Sequence, residues 1–101
     1  MIIDLSKDTV VLDGCEPNID RKTGEIRTTP EGVNKWNAYI LVREEGEMRS
    51  RPMKLNIAAS KDPAAGLVPF QPITVKNCRL NVYNIDGETV NSYSADSIAK
   101  A

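Results

Sequence analysis

The chain has 101 residues, 41% of them hydrophobic and 27% charged, which is the balance of one ordinary globular domain, expected to span residues 1–101. It contains no histidine, and so lacks the commonest general base, the usual partner of Ser or Cys nucleophiles and the commonest transition-metal ligand. The formal net charge of −1 conceals a partition in which residues 1–20 carry −4, residues 21–61 carry +4 and the remainder carries −1. A basic middle between acidic ends can make a positive surface on a nearly neutral protein.

The opening MIIDLSKDTVVLDG has no basic segment leading a long apolar one, and nowhere do 18 apolar residues run together. The expectation is a cytoplasmic protein with no membrane partner. TVVLDGCEPNI is a plausible first strand, broken at Gly14 and Pro17. A turn is predicted in Asp20-Arg21-Lys22-Thr23-Gly24, and RKTGEIRTTPEGVNK, with two Gly, one Pro and many polar side chains, reads as a long loop of mobile composition.

The strongest signal follows, in NAYILVREEGEMRSRPMKLNIAAS, where two apolar, β-prone runs flank Glu44-Glu45-Gly46-Glu47. It predicts a hairpin. By the two-residue period Trp36, Ala38, Ile40 and Val42 share one face of the first arm, and Asn37, Tyr39, Leu41 and Arg43 the other. In the second arm Arg49, Arg51, Met53, Leu55 and Ile57 alternate with Ser50, Pro52, Lys54 and Asn56. Pro52 cannot donate to a ladder, so that arm should begin at a sheet edge or a bulge.

SKDPAAGLVPFQP then leaves room for one short helical turn over residues 62–66, with Phe70, between two prolines, expected to cap the core. ITVKNCRLNVYN and ETVNSYSADSI surround Asp86-Gly87, a dipeptide suited to tight primed turns, and predict a second hairpin. Its apolar residues change phase, from Ile73 and Val75 to Cys78, Leu80 and Val82, which places a bulge near Asn77. The two cysteines, Cys15 and Cys78, lack metal or redox spacing and read as small core residues.

Strand, long loop, hairpin, short turn, hairpin is the element order of the OB-fold, which binds along strands 2 and 3 and the neighbouring loops. The predicted fold is therefore all-β, a five-stranded OB-fold-like barrel with one short helical turn between strands 3 and 4. An SH3-like barrel or an open sandwich would share the strand count.

Catalytic chemistry has little to work with. Glu44, Glu45 and Glu47, and Asp4 with Asp8, are pairs or clusters of acids in a turn and a terminus, where charge runs are usually solvated surface. Neither GxxxxGK[ST] nor GxGxxG occurs, so no nucleotide cofactor is implied, no metal is expected, and the chain reads as a non-enzyme.

Single-stranded nucleic acid is held by Lys and Arg along the phosphates and by aromatic faces on which bases stack. The middle segment offers both. The candidate nucleic-acid-binding residues are Lys22, Arg27 and Lys35 on the long loop, Trp36, Tyr39 and Arg43 on the second strand, Arg51 and Lys54 on the third, and Tyr83 beside the second hairpin turn. Trp36 also reads as core or core rim, and Arg49 and Arg51 also read as partners of the Glu-rich turn. The rival function is a protein-interaction or assembly module, a phage-type accessory or subunit that pairs through an exposed strand edge, with a homo-oligomer as one form of it.

GVNKWNAYILV with its Gly-x-x-x-Trp opening, MKLNIAA, FQPITVKNCRLNVY and the closing SYSADSI together resemble a family of small proteins of actinobacterial plasmids and integrative elements, described as replication or excision activators with an OB-like pattern. The resemblance covers about residues 24–98 and rests on β-strand patterns rather than a catalytic signature. It implies handling of single-stranded DNA during replication or transfer of a mobile element.

Overall fold

The computed structural model describes residues 1–101, and its regular structure is entirely β, with seven strands and no helix. Strands β1 (Thr9–Pro17), β2 (Lys35–Arg43) and β3 (Arg51–Ala58) are followed by β4 (Ile73–Lys76), β5 (Arg79–Ile85), β6 (Glu88–Ser94) and β7 (Ser97–Lys100). Five of them form one sheet in the order β1-β2-β3-β6-β5, and β4 pairs with β7 in a second sheet of two. Every pairing is antiparallel except β3 with β6, which meet in parallel at Leu55–Tyr93 and Asn56–Ser94.

The period-2 pattern decides what is inside. Ala38, Ile40 and Val42 of β2 and Met53, Leu55 and Ile57 of β3 are buried on one face of the large sheet, joined by Val10 and Leu12 of β1. Ile73, Cys78, Ala95 and Ile98, from the β4–β7 pair and the corners beside it, complete a core of 12 buried residues, none of them polar. Burying such aliphatic side chains contributes about 1.5–3 kcal/mol each, so this face fixes the register of the sheet.

Seven strands form where the sequence pattern predicts five because the second hairpin bends out of one sheet into the other. Its outer arms are β5 and β6, closed by Asp86-Gly87 with φ of 50° and 82°, as a type I′ turn requires. Its inner arms are β4 and β7. At the corner Asn77 adopts φ 53°, Cys78 turns into the core, and the Asp96 N–H donates to the Lys76 carbonyl at 2.9 Å. The phase change read as a bulge is thus a complete break between strands. A true bulge lies instead in β1, between Leu12 and Gly14, where one extra residue keeps Cys15 on the core face and turns Glu16 to the other.

The predicted helical turn over residues 62–66 is replaced by two separate reverse turns, Ala65 N–H to the Asp62 carbonyl at 3.1 Å and Leu67 N–H to the Ala64 carbonyl at 2.9 Å. A helix needs such bonds on consecutive residues, and Gly66 at φ 81° ends the segment. Nor does Phe70 cap the core. Its side chain is 66% exposed and its backbone sits at φ 64° in the turn after Pro69.

The large sheet does not close on itself by regular pairing. Single bridges link its margins to other segments, Val11 to Pro72 and Ile2 to Arg79, and Leu12 exchanges backbone hydrogen bonds with Phe70 and Gln71. No helix is long and apolar enough to cross a membrane.

Candidate functional site

The non-core face of the large sheet carries a polar band, set apart from an apolar row of Val11, Leu41 and Pro52 at one end. Reading the registers strand to strand, Glu16 of β1 opposes Asn37 of β2, Asn37 opposes Asn56 of β3, Asn56 opposes Ser94 of β6, and Ser94 opposes Arg79 of β5. One row of side chains thus crosses all five strands. Beside it lie Tyr39 opposite Lys54, and Asn81 opposite Ser92. Asparagine is disfavoured in strands, and here three of them stand at polar-phase positions.

Hydrogen bonds tie this floor together. Asn56 Nδ2 donates to Ser92 Oγ at 2.9 Å and Asn81 Nδ2 to Ser94 Oγ at 3.1 Å, which bind β3 and β5 to β6 where only two residue pairs hold the parallel ladder. Tyr39 donates its hydroxyl to Glu16 Oε1 at 2.8 Å, and this bond to a carboxylate raises the phenol above its ordinary pKa. The exception is Asn37, whose Oδ1 is buried without a donor. An unpartnered buried acceptor costs about 1–3 kcal/mol, so the middle of the row lacks a donor.

The walls come from two hairpin-like excursions. Residues 18–34 fold back over the sheet through bridges Ile19–Ile26 and Thr28–Asn34, with Arg27 N–H donating to the Asn18 carbonyl at 2.8 Å and Lys35 N–H to the Arg27 carbonyl at 2.9 Å. At its tip Asp20 accepts from the Lys22 and Gly24 N–H groups, a turn that Gly24 permits at φ 74°. The segment that reads as a mobile loop is therefore hydrogen-bonded along its length. The opposite wall is the β5–β6 hairpin.

Two adjoining hollows share Asn18 and Arg27, one between the 18–34 segment and the β5–β6 hairpin, the other between that segment and the polar face of β1, β2 and β3. Together they are lined by six cations, Arg21, Lys22, Arg27, Lys35, Lys54 and Arg79, against the three carboxylates of Glu16, Asp20 and Asp96. Of the six only Arg79 is in an ion pair, with Asp96 at 2.9 Å. The groove is net positive on a protein whose total charge is −1. No protein-family model, no curated protein and no solved structure matches this chain.

The groove gathers six of the nine sequence candidates, Lys22, Arg27, Lys35, Tyr39, Lys54 and Tyr83. Trp36 stands apart, on the core-side phase of β2, where its Nε1 donates to the Ala59 carbonyl at 2.8 Å. Arg51 shares the phase of Met53 and pairs with Glu44 at 3.0 Å, at the far end of the hairpin. Arg43 keeps the phase of Tyr39 but is paired with Thr9 at that same far end and lines neither hollow. Sequence reasoning missed Arg21, Arg79 and the amide row. The available signal was the polar phase of Asn37, Asn56 and Asn81 in KWNAY, KLNIA and RLNVY, which gains meaning only once the strands are put in register.

The thiols lie outside this surface. Cys78 is buried, and half-buried Cys15 is pushed up to about 11 by burial and by the neighbouring Asp62 carboxylate, so both are poor nucleophiles.

Proposed function

We propose that the chain is a non-catalytic module that binds single-stranded nucleic acid in this groove, serving a plasmid, phage or mobile element. The observation that carries the reading is the convergence, on one sheet face, of five cations outside any ion pair with a row of amides and hydroxyls and two tyrosines. Unpaired cations attract phosphates, amides and hydroxyls can hydrogen-bond base edges, and Tyr39 and Tyr83 offer ring faces. A single strand suits the width of a sheet better than a duplex, because its bases are free to turn toward the floor.

The strand order supports an OB-like plan. In chain order the meander β1-β2-β3 is followed by a bent hairpin whose last arm pairs in parallel with β3, and contacts from residues 70–72 to β1 lie where a barrel would close. The groove lies along β2 and β3, between the loop after β1 and the last hairpin, the usual binding surface of that plan.

The test is fluorescence anisotropy of a labelled single-stranded oligonucleotide titrated with the protein at low and at moderate salt, with duplex as control. The expected result is saturable single-strand binding that weakens by about 0.7 log units per log unit of salt for each phosphate neutralised. Absence of binding at low salt overturns the proposal.

A further inference from the structure

The outer edge of β5 is unpaired where it leaves the body of the protein. Leu80 exchanges hydrogen bonds with Met1 on that side, the Leu80 N–H donating at 2.8 Å and the Met1 amine at 3.3 Å, so even-numbered residues of β5 point away from β6. By the same alternation the N–H and C=O of Val82 and Asn84 face outward, and no segment of the chain pairs with them. Val82, Tyr83 and Ile85 are 58%, 50% and 56% exposed, so apolar surface flanks this edge on both faces. Between Arg79 and Asp86 there is no charge, where edge strands ordinarily carry one to prevent pairing. Past the short contact with β3, β5 and β6 form a free-standing two-stranded ribbon, an arrangement of marginal stability in water by itself.

We propose that this edge pairs with the same edge of a second copy, giving a two-fold dimer through an antiparallel β5–β5 ladder centred on Tyr83. The edge is self-complementary: in this register Val82 opposes Asn84 of the other copy, and both free backbone pairs of each chain are satisfied. The ladder is confined to residues 82–84, because Met1 already pairs with Leu80 and occupies the edge beyond. The edge of β6 is a poorer candidate because Glu88 charges its free end and β3 of the same chain pairs with it from Tyr93 on. The dimer would place the two grooves end to end on one surface, with both Tyr83 side chains at the junction, but its formation requires no nucleic acid.

Sedimentation velocity over a range of protein concentrations, without nucleic acid, reads the association directly. The expected result is a concentration-dependent dimer, shifted at least tenfold toward monomer by Val82→Lys and by Asn84→Pro. Val82→Lys keeps the hairpin backbone intact, so it reports on the interface even where the proline perturbs the turn. Under mild oxidation Tyr83→Cys should give a disulfide-linked dimer joined at position 83 in both chains, since residues opposed at the two-fold stand within bridging distance. A wild-type chain that stays monomeric overturns the inference, as does a dimer insensitive to Val82→Lys or one that does not cross-link through position 83. Either failure leaves single-strand binding by one copy standing, which the anisotropy titration tests separately.

Discussion

Tyr39 and Glu16 meet across the β1–β2 pairing, the phenol donating to the carboxylate at 2.8 Å in a groove that is net positive. The carboxylate fixes the ring but opposes any phosphate that approaches it. Replacing Glu16 with Gln keeps an acceptor for the hydroxyl and removes the charge, worth about 1 kcal/mol at contact distances in water. Glu16→Gln should therefore bind a single-stranded oligonucleotide about three- to tenfold more tightly at low salt, a gain that disappears as salt is raised. Unchanged affinity would place the strand elsewhere.

The groove separates cations that the sequence alone treats alike. Arg27→Glu and Lys54→Glu should each weaken single-strand binding by about tenfold or more and flatten its salt dependence, whereas Arg51→Glu and Arg43→Glu, outside the hollows, should change it less than about twofold. Titration of the four variants under one salt condition checks this. Equal losses in all four would reduce the reading to a general charge effect.

Asn37 is where function and stability should part. Its Oδ1 is buried without a donor at a strand position between Glu16 and Asn56. Asn37→Val removes the orphan acceptor and improves strand propensity, and is expected to raise stability by about 1 kcal/mol while weakening ligand binding. Chemical denaturation and anisotropy on the same sample measure both signs. A destabilised variant would mean that water or a shifted neighbour already satisfies the amide.

The corner between β4 and β5 is held by Asp96, which accepts from Asn77 Nδ2 at 2.7 Å and from Arg79 at 2.9 Å. The Asn77 amide first, then the Arg79 guanidinium, hold its carboxyl below the ordinary aspartate range. A depressed folded-state value means that the stabilisation is present above the unfolded-state pKa, about 3.9, and is lost as pH falls through the lower folded value. Asp96→Asn should accordingly flatten the acid limb of a stability-versus-pH curve below about pH 4, with little change in its shape above pH 6. An unaltered acid limb would show that the corner does not depend on this charge.

Phe70 carries a bulky side chain at φ 64°, where a residue with a Cβ costs about 1–2 kcal/mol, yet the side chain is 66% exposed. Gly accepts that backbone at an entropic cost of about 0.5–1 kcal/mol. Phe70→Gly should thus raise thermal stability slightly, by about 0.5 kcal/mol. A loss of more than about 1 kcal/mol would show that the ring packs more than its exposure indicates.

Short-range features were legible in the sequence. Alternation in WNAYILV and MKLNI made the central hairpin and its buried face legible, because one-residue slippage would expose every aliphatic side chain, and Asp86-Gly87 specified a tight turn because few other dipeptides accept two positive φ values. The basic middle segment was legible as charge. Tertiary structure decided everything that depends on register between distant segments. The parallel meeting of Asn56 and Ser94, the row from Glu16 to Arg79, the departure of Trp36 and Arg51 from the groove, and the break at Asn77 each join residues whose neighbours in sequence say nothing of one another. A strand's own period tells which residues share a face, but only hydrogen-bonded pairing tells which faces share a surface.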